Sequence, residues 1–496
     1  AKLAGLFLAP FLFLIFLLTP PQWGLPPDAW KVVAMAALML VWWVTEAVPL
    51  PVTALVPLIC LPLLGVSEIK TVAASYGDPV VFLFLGGFML GLAMEKWNLH
   101  RRIALSIVNL TGTNADGIVF GFMLATALIS MWISNTATAI MMLPIALSII
   151  RLLSETQTTS PNHSSSLIPH PSKGLANFSR TIMLGIAYAA SFGGMGTLIG
   201  TPPNTVFKGF MKTTFGYHVN FFDWMVVGVP LALLLVFLGY LVNVKLLFPN
   251  KLGNFHGPKD LIKSELAALG KPSVAERRTF WVFGATVFLW IATGLLQQIF
   301  PEGENPPAGV ALLHRFSDEI IALLATFGLF IVPVNFKKAE FLLKWKDTKE
   351  IPWGILLLFG GGLALAGALS KTGIIKLVGD VFAGMEVNRF LFVLGLTAVT
   401  VLLSELMSNV ALVTVFLPVV GAVAQGLGIE PIHLAIPVTL AASCGFMLPM
   451  ATPPNAIVFG GGYLRVYDMV RSGFWLDLLS ILLIAILAET VMLWVF

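Results

Sequence analysis

The chain has 496 residues, of which 57% are hydrophobic and only 11% charged. Soluble domains carry about 25% charged residues, which excludes a water-soluble fold, and a formal net charge of +4 is too small to mark a nucleic-acid binder. Cys60 and Cys444 alone can build neither a disulfide framework nor a four-thiolate zinc site, so the composition is that of a polytopic membrane protein.

A hydrocarbon core about 30 Å thick needs about 20 apolar residues per helical span. Apolar runs recur at 3–18, 32–48, 54–64, 80–94, 118–150, 182–200, 224–248, 279–300, 320–334, 355–369, 390–420, 432–450 and 474–496. The first follows Lys2 and has the form of a signal peptide. Thr19-Pro20-Pro21 stands where a small-residue cleavage site would be, so it is read as a retained helix. Residues 154–179 are rich in Ser, Thr, Asn and Pro and read as a flexible insertion. The triplet Asn162-His163-Ser164 within it reads as a chance match to a glycosylation signal. Residues 245–278 carry seven Lys or Arg against three acids, which favours the cytoplasm. Residues 301–318, with Glu302, Glu304 and Asp318 against one Arg, read as the opposite side.

The two halves of the chain repeat each other. An offset of 274 carries Gly86-Gly87 onto Gly360-Gly361, Ser130 onto Ser404, Ser134-Asn135 onto Ser408-Asn409 and Pro144 onto Pro418. An offset of 251 then carries Gly194 onto Gly445 and Thr201-Pro202-Pro203-Asn204 onto Thr452-Pro453-Pro454-Asn455. The Ser/Thr-rich insertion accounts for the change of offset.

Repeats with interrupted apolar segments at matching places point to a secondary transporter. Ser134-Asn135-Thr136 and Ser408-Asn409-Val410 each lie inside a run too long for one span. Polar backbone at membrane depth is tolerated only where protein or a wet cavity surrounds it. A break there leaves free amides that attract an anion and free carbonyls that suit sodium. The Pro-Pro pairs likewise deprive carbonyls one turn earlier of their partners. Neither break contains Lys or Arg, so a dicarboxylate must be held by dipoles, Asn side chains, a hydroxyl and co-bound cations.

Further segments are Trp43-Val44-Thr45-Glu46-Ala47-Val48-Pro49, the stretch from Glu95 to Leu105, Met131-Trp132-Ile133 and Phe446-Met447-Leu448-Pro449. With the tandem Ser-Asn and Thr-Pro-Pro-Asn pairs, the chain from about residue 30 onward resembles the divalent-anion:sodium symporter family of di- and tricarboxylate carriers. The resemblance implies an all-α fold of two inverted-topology repeats with re-entrant hairpins and discontinuous helices, forming a scaffold and an elevator-type transport domain. On that pattern 1–77 and 224–350 would be scaffold, 78–223 and 351–472 transport elements, and 473–496 a C-terminal helix. The hairpins would span 78–107 and 352–380, each opened by its Gly pair. Substrate would meet Asn135, Thr136, Asn409, Val410, Thr201, Pro202, Thr452 and Pro453. One sodium would sit at Ser130, Ser134, Asn135 and Gly200, and a second at Ser404, Met407, Asn409 and Ala451. Val410 departs from many bacterial relatives, which carry Thr. The implied activity is sodium-coupled symport of succinate, malate and fumarate, with citrate a further candidate, by a homodimer in the plasma membrane with two or more sodium ions co-transported. The alternative is a sodium-independent dicarboxylate exchanger on the same fold.

The remaining motifs read as structural. Glu405, three residues before Ser408, could couple protons, but bracing of the hairpin is favoured, and Glu46 is read the same way. Gly87 and Gly91 form a small-residue packing stripe. Lys371-Thr372 lacks the preceding Gly that a phosphate loop requires, and no His sits in either break. Neither Ser134 nor Ser408 has a His or acid at catalytic spacing, so the chain is read as no enzyme.

Overall fold

The computed structural model describes residues 2–111, 114–158, 172–250, 252, 257–300 and 315–496. Among them the only sheet is an antiparallel pair joining Pro333 to Phe341 and Asn335 to Glu340. Everything else of regular form is helical, as hydrocarbon demands of a backbone that must pair internally. Among the described residues eight helices are long and apolar enough to cross a membrane, and five shorter apolar ones accompany them.

The two over-long runs divide where the polar residues stand. The first becomes Ala115–Ser130 and Asn135–Thr158. The second becomes Arg389–Ser404 and Asn409–Gly426. Ser and Asn compete for backbone hydrogen bonds and favour helix starts over helix interiors. The Pro-Pro pairs do not interrupt running helices, as the sequence suggested. They open the short helices Pro202–Phe210 and Pro453–Gly460, occupying first-turn positions where a missing amide costs nothing. The expected insertion at 154–179 is helical on both flanks, because the Asn135 helix runs to Thr158 and Lys173–Met195 begins where Ser172 caps Leu175. The triplet at Asn162 and most of the acidic 301–318 segment lie outside the described residues.

The two expected hairpins are helix pairs. Pro79–Lys96 meets Leu99–Leu110 through left-handed Asn98, and Trp353–Lys371 meets Ile374–Phe382 through left-handed Gly373. The Gly pairs do not open them. They lie mid-helix, where a Cβ on Gly86 would come within 2.7 Å of the Ala322 carbonyl and one on Gly360 within 2.7 Å of the Tyr76 Cα. Close backbone approach is what small residues permit between membrane helices. The Gly87 and Gly91 stripe faces Ile199 and Ile133, so it seats two loops rather than another helix.

The segment from Glu95 to Leu105 ties the first helix pair to distant chain. Lys96 Nζ lies 2.7 Å from Asp347 and donates to the Leu342 carbonyl at 3.0 Å, which also takes Trp97 Nε1 at 2.9 Å. Arg101 pairs with Glu265 at 2.6 Å, and Arg102 pairs with Glu276.

At the centre stands Lys173–Met195, buried at nearly every residue from Leu175 onward. Around it the two repeats interlock crosswise. The Asn135 helix packs on the Pro453 helix, and the Asn409 helix packs on the Pro202 helix. Each Ser-Asn helix therefore lies against the Thr-Pro-Pro-Asn helix of the other half.

Candidate functional site

In the first repeat, Ser130 is completely buried and its Oγ lies 2.7 Å from both Asn135 Oδ1 and the Ala190 carbonyl, sharing one hydrogen between them. Ser134 is exposed, and its Oγ accepts the Ala137 amide at 3.2 Å. Asn135 rests on Gly194, where a Cβ would lie 2.5 Å from Asn135 Oδ1. Gly200 in turn rests on Gly194, a Cβ there falling 2.6 Å from the Gly194 carbonyl oxygen. Asn135 and Gly200 thus meet at one glycine, Ser130 is tied to Asn135 by its hydrogen bond, and Ser134 caps its own helix beside them.

The second repeat uses the same glycine position. A Cβ on Gly445 would lie 3.2 Å from the Ser404 carbonyl oxygen, 3.3 Å from Ser404 Oγ and 3.1 Å from Ala451 Cβ. Ser404 and Ala451 therefore flank Gly445 as Asn135 and Gly200 flank Gly194. The side chains differ. Ser404 Oγ donates to Val401 of its own helix at 2.8 Å, and Asn409 Oδ1 is buried with no donor. Met407 and Val410 are half-buried and pack on the surrounding core.

Both breaks end at a helix N-terminus. Ser408 makes no side-chain cap, so the first-turn amides from Asn409 onward are open to a ligand. Thr136, like Asn135, is half-buried. Thr201 and Thr452 are buried at the starts of the Pro-Pro helices, with Pro202 half-buried and Pro453 exposed. No group of three or more His, Cys, Asp or Glu among the described residues could hold a metal ion. A cation at either break would rely on hydroxyl, amide and carbonyl oxygens, the donors a hard ion takes.

Glu405 braces. Its carboxylate accepts the Met447 amide at 2.7 Å and the Leu448 amide at 2.9 Å, fixing the loop that leads to Ala451. Glu46 is exposed, ends its helix in left-handed conformation and pairs loosely with Lys2 at 3.8 Å.

Sequence reasoning missed three features. Asn204 and Asn455 are fully buried and hydrogen-bond the loops before them. Their place in the repeated motif was the available signal. Asp477, 4% exposed and facing Glu405, lies on a helix whose sequence is otherwise apolar around it. Lys208 forms a buried cluster with Asp318 at 2.6 Å and Glu319 at 3.3 Å, which no local pattern announces.

The chain matches the family model described as the sodium:sulfate symporter transmembrane region over residues 1–496. It is 38% identical over 489 residues to the sodium-dependent dicarboxylate transporter SdcS of Staphylococcus saprophyticus, covering 98% of this chain and 90% of that protein. It is 38% identical over 493 residues to SdcS of Staphylococcus aureus strain USA300, covering 99% and 91%. Among solved structures, the YdaH transporter of Alcanivorax borkumensis shares the fold, with a TM-score of 0.59 at 15% identity over 94% of this chain and 98% of that one. The full-length match and the helices long enough to cross a bilayer lead to one conclusion: this multi-pass integral protein of the plasma membrane belongs to the sodium:sulfate symporter family.

Proposed function

We propose that the protein is a sodium-coupled symporter of C4-dicarboxylates such as succinate, malate and fumarate. The observation that carries this reading is the crossed pair of breaks. Two helix N-termini, opened by Asn135 and Asn409, stand at matching places in interlocked repeats. Neither break supplies a cationic side chain. A dicarboxylate needs two such ends, because helix N-termini favour negative charge. A dianion facing only partial charges is poorly compensated, and sodium supplies the missing charge.

In this reading one sodium is held by Ser130, Ser134, Asn135 and the Gly200 carbonyl, and the second by Ser404, Asn409 and the Met407 and Ala451 carbonyls. Substrate lies between Asn135 and Thr136 on one side and Asn409 and Val410 on the other, near Thr201, Pro202, Thr452 and Pro453. Cation binds first, anion second, and linkage makes each tighten the other. Residues 78–223 and 351–472 carry the site through the membrane against the scaffold of a homodimer, as an elevator.

The names of the Staphylococcus relatives support sodium and dicarboxylate as the transported pair. The test is uptake of labelled succinate by proteoliposomes with and without an inward sodium gradient. Concentrative uptake that requires the gradient is expected. Uptake indifferent to sodium and dependent on succinate trapped inside would make the protein an exchanger and overturn the reading.

A further inference from the structure

The loops that precede the two Pro-Pro helices share one device, a buried asparagine that bonds back to matching carbonyls in each. Asn204 Nδ2 donates to the Thr197 carbonyl at 2.8 Å and to the Gly194 carbonyl at 3.2 Å. Asn455 Nδ2 donates to the Leu448 carbonyl at 3.0 Å and to the Gly445 carbonyl at 3.1 Å. The offset of 251 that relates the two asparagines also relates Gly194 to Gly445 and Thr197 to Leu448. Both asparagines are fully buried, and in both the Oδ1 finds no donor.

The chemistry of the motif requires this arrangement. Each Pro-Pro pair fills the first two helical positions, so neither can offer an amide to the loop folded over that end. Without the asparagine the Gly194 and Gly445 carbonyls would be left with no partner, at about 1–3 kcal/mol each, and the Thr197 and Leu448 carbonyls would keep only the turn amides of Gly200 and Ala451. An amide side chain at the next position reaches back and supplies two hydrogens from one nitrogen. A buried acceptor left unpaired is itself costly, so the donor end is what the side chain contributes.

The consequence reaches the breaks. Closing the loop seats residue 200 on Gly194, and residue 451 on Gly445. The same glycines touch Asn135 in the first repeat and Ser404 in the second. We propose that Asn204 and Asn455 are paired positioning residues for cation coupling, each fixing the backbone carbonyl and the glycine wall of the sodium site in its own repeat. Neither touches the transported species. The proposal rests on the sodium-coupled reading above.

The experiment uses Asn204→Ala, Asn455→Ala, Asn204→Asp and Asn455→Asp in the full chain. Sodium dependence is read twice, as succinate uptake into proteoliposomes and as sodium-induced thermal stabilisation of detergent-solubilised protein without succinate. Each Ala variant is expected to raise the half-saturating sodium concentration about tenfold in both readouts while keeping maximal uptake within about twofold. The Asp variants keep the shape and, neutral in so buried a place, offer at most one hydrogen where the amide gives two, so they are expected to shift sodium dependence in the same direction as Ala, and they serve where an Ala variant fails to fold. Unchanged half-saturation with a uniform fall in maximal uptake, or Asp variants with wild-type sodium dependence, would overturn the proposal and leave the symporter reading intact. A wild-type protein indifferent to sodium in both readouts would overturn the two together.

Discussion

Lys208 forms a buried ion cluster away from the breaks, and its removal has a calculable cost. It lies one turn beyond Asn204, is 6% exposed, and faces Asp318 at 2.6 Å and Glu319 at 3.3 Å, each 7% exposed. Trp290 donates to the Asp318 carbonyl at 3.0 Å and stacks on Phe221 at 4.1 Å, which closes the cluster to solvent. One ammonium against two carboxylates leaves a buried net charge of −1. Lys208→Met makes it −2 with no cation in contact, and stranding buried charge in this way costs about 3–5 kcal/mol. Asp318→Asn instead balances the remaining Lys208–Glu319 pair and is expected to cost much less. The double variant holds one uncompensated carboxylate and should be more stable than Lys208→Met alone. Denaturant unfolding in detergent micelles, followed by tryptophan fluorescence, gives the cycle. A coupling energy below about 0.5 kcal/mol, or equal costs for the two single variants, would refute the reasoning.

Asn135→Ala and Asn409→Ala should each abolish sodium-driven succinate uptake in proteoliposomes while leaving sodium-independent folding intact, and their sodium and succinate affinities should fall together. Thr136→Val removes a hydroxyl donor to a carboxylate, a bond of about 1.5–3 kcal/mol, and should weaken succinate roughly tenfold or more. Val410→Thr should be tolerated, as measured by inhibition of labelled succinate uptake with unlabelled succinate and citrate; a harmless Thr136→Val beside an inactive Val410→Thr would reverse the assignment. At Asp347, burial raises the carboxyl pKa, but hydrogen bonds from Lys96 and the Lys344 amide outweigh it and hold it below the usual range. Its contribution to stability is therefore full above the ordinary Asp pKa and lost as pH falls through the depressed one, and Lys96→Met should flatten that acid limb in apparent Tm measured against pH.

The parts legible in the sequence are those written locally. An apolar run of 33 residues interrupted by Ser134-Asn135 must break, because those side chains offer the backbone alternatives to a continuing helix. The repeat located the glycines and the Pro-Pro pairs at matching positions. What the Pro pairs do depends on whether a helix already runs into them, and only the fold settles that. At the polar segment 154–179 only the flanks are described, and they are helical, to Thr158 and from Lys173, since Ser and Thr do not by themselves stop a helix; residues 159–171 lie outside the described ones. Lys208 and Asp318 are 110 residues apart, and Gly86 meets Ala322 on a helix of the other half. Such pairings arise from packing after the elements form and leave no periodic trace.

The repeats agree in backbone and disagree in side chain, and the division has a physical sense. Met131 and Glu405 occupy matching places. The Met131 carbonyl accepts the Thr197 hydroxyl at 2.5 Å, whereas the Glu405 carboxylate accepts the Leu448 amide at 2.9 Å. Different atoms thus hold the same loop against the same break. Gly228 and Gly473 repeat the pattern, each letting its helix approach the loop backbone, at Met195 and Gly196 in one half and at Phe446 and Met447 in the other. A small cation asks only for oxygens at suitable distances, so a duplicated backbone can serve it twice. A carboxylate is recognised by directed donors, and Thr136 and Val410 present one hydroxyl against none. The symmetry belongs to the loops that would hold sodium, and the asymmetry to the walls that would distinguish one end of the substrate from the other.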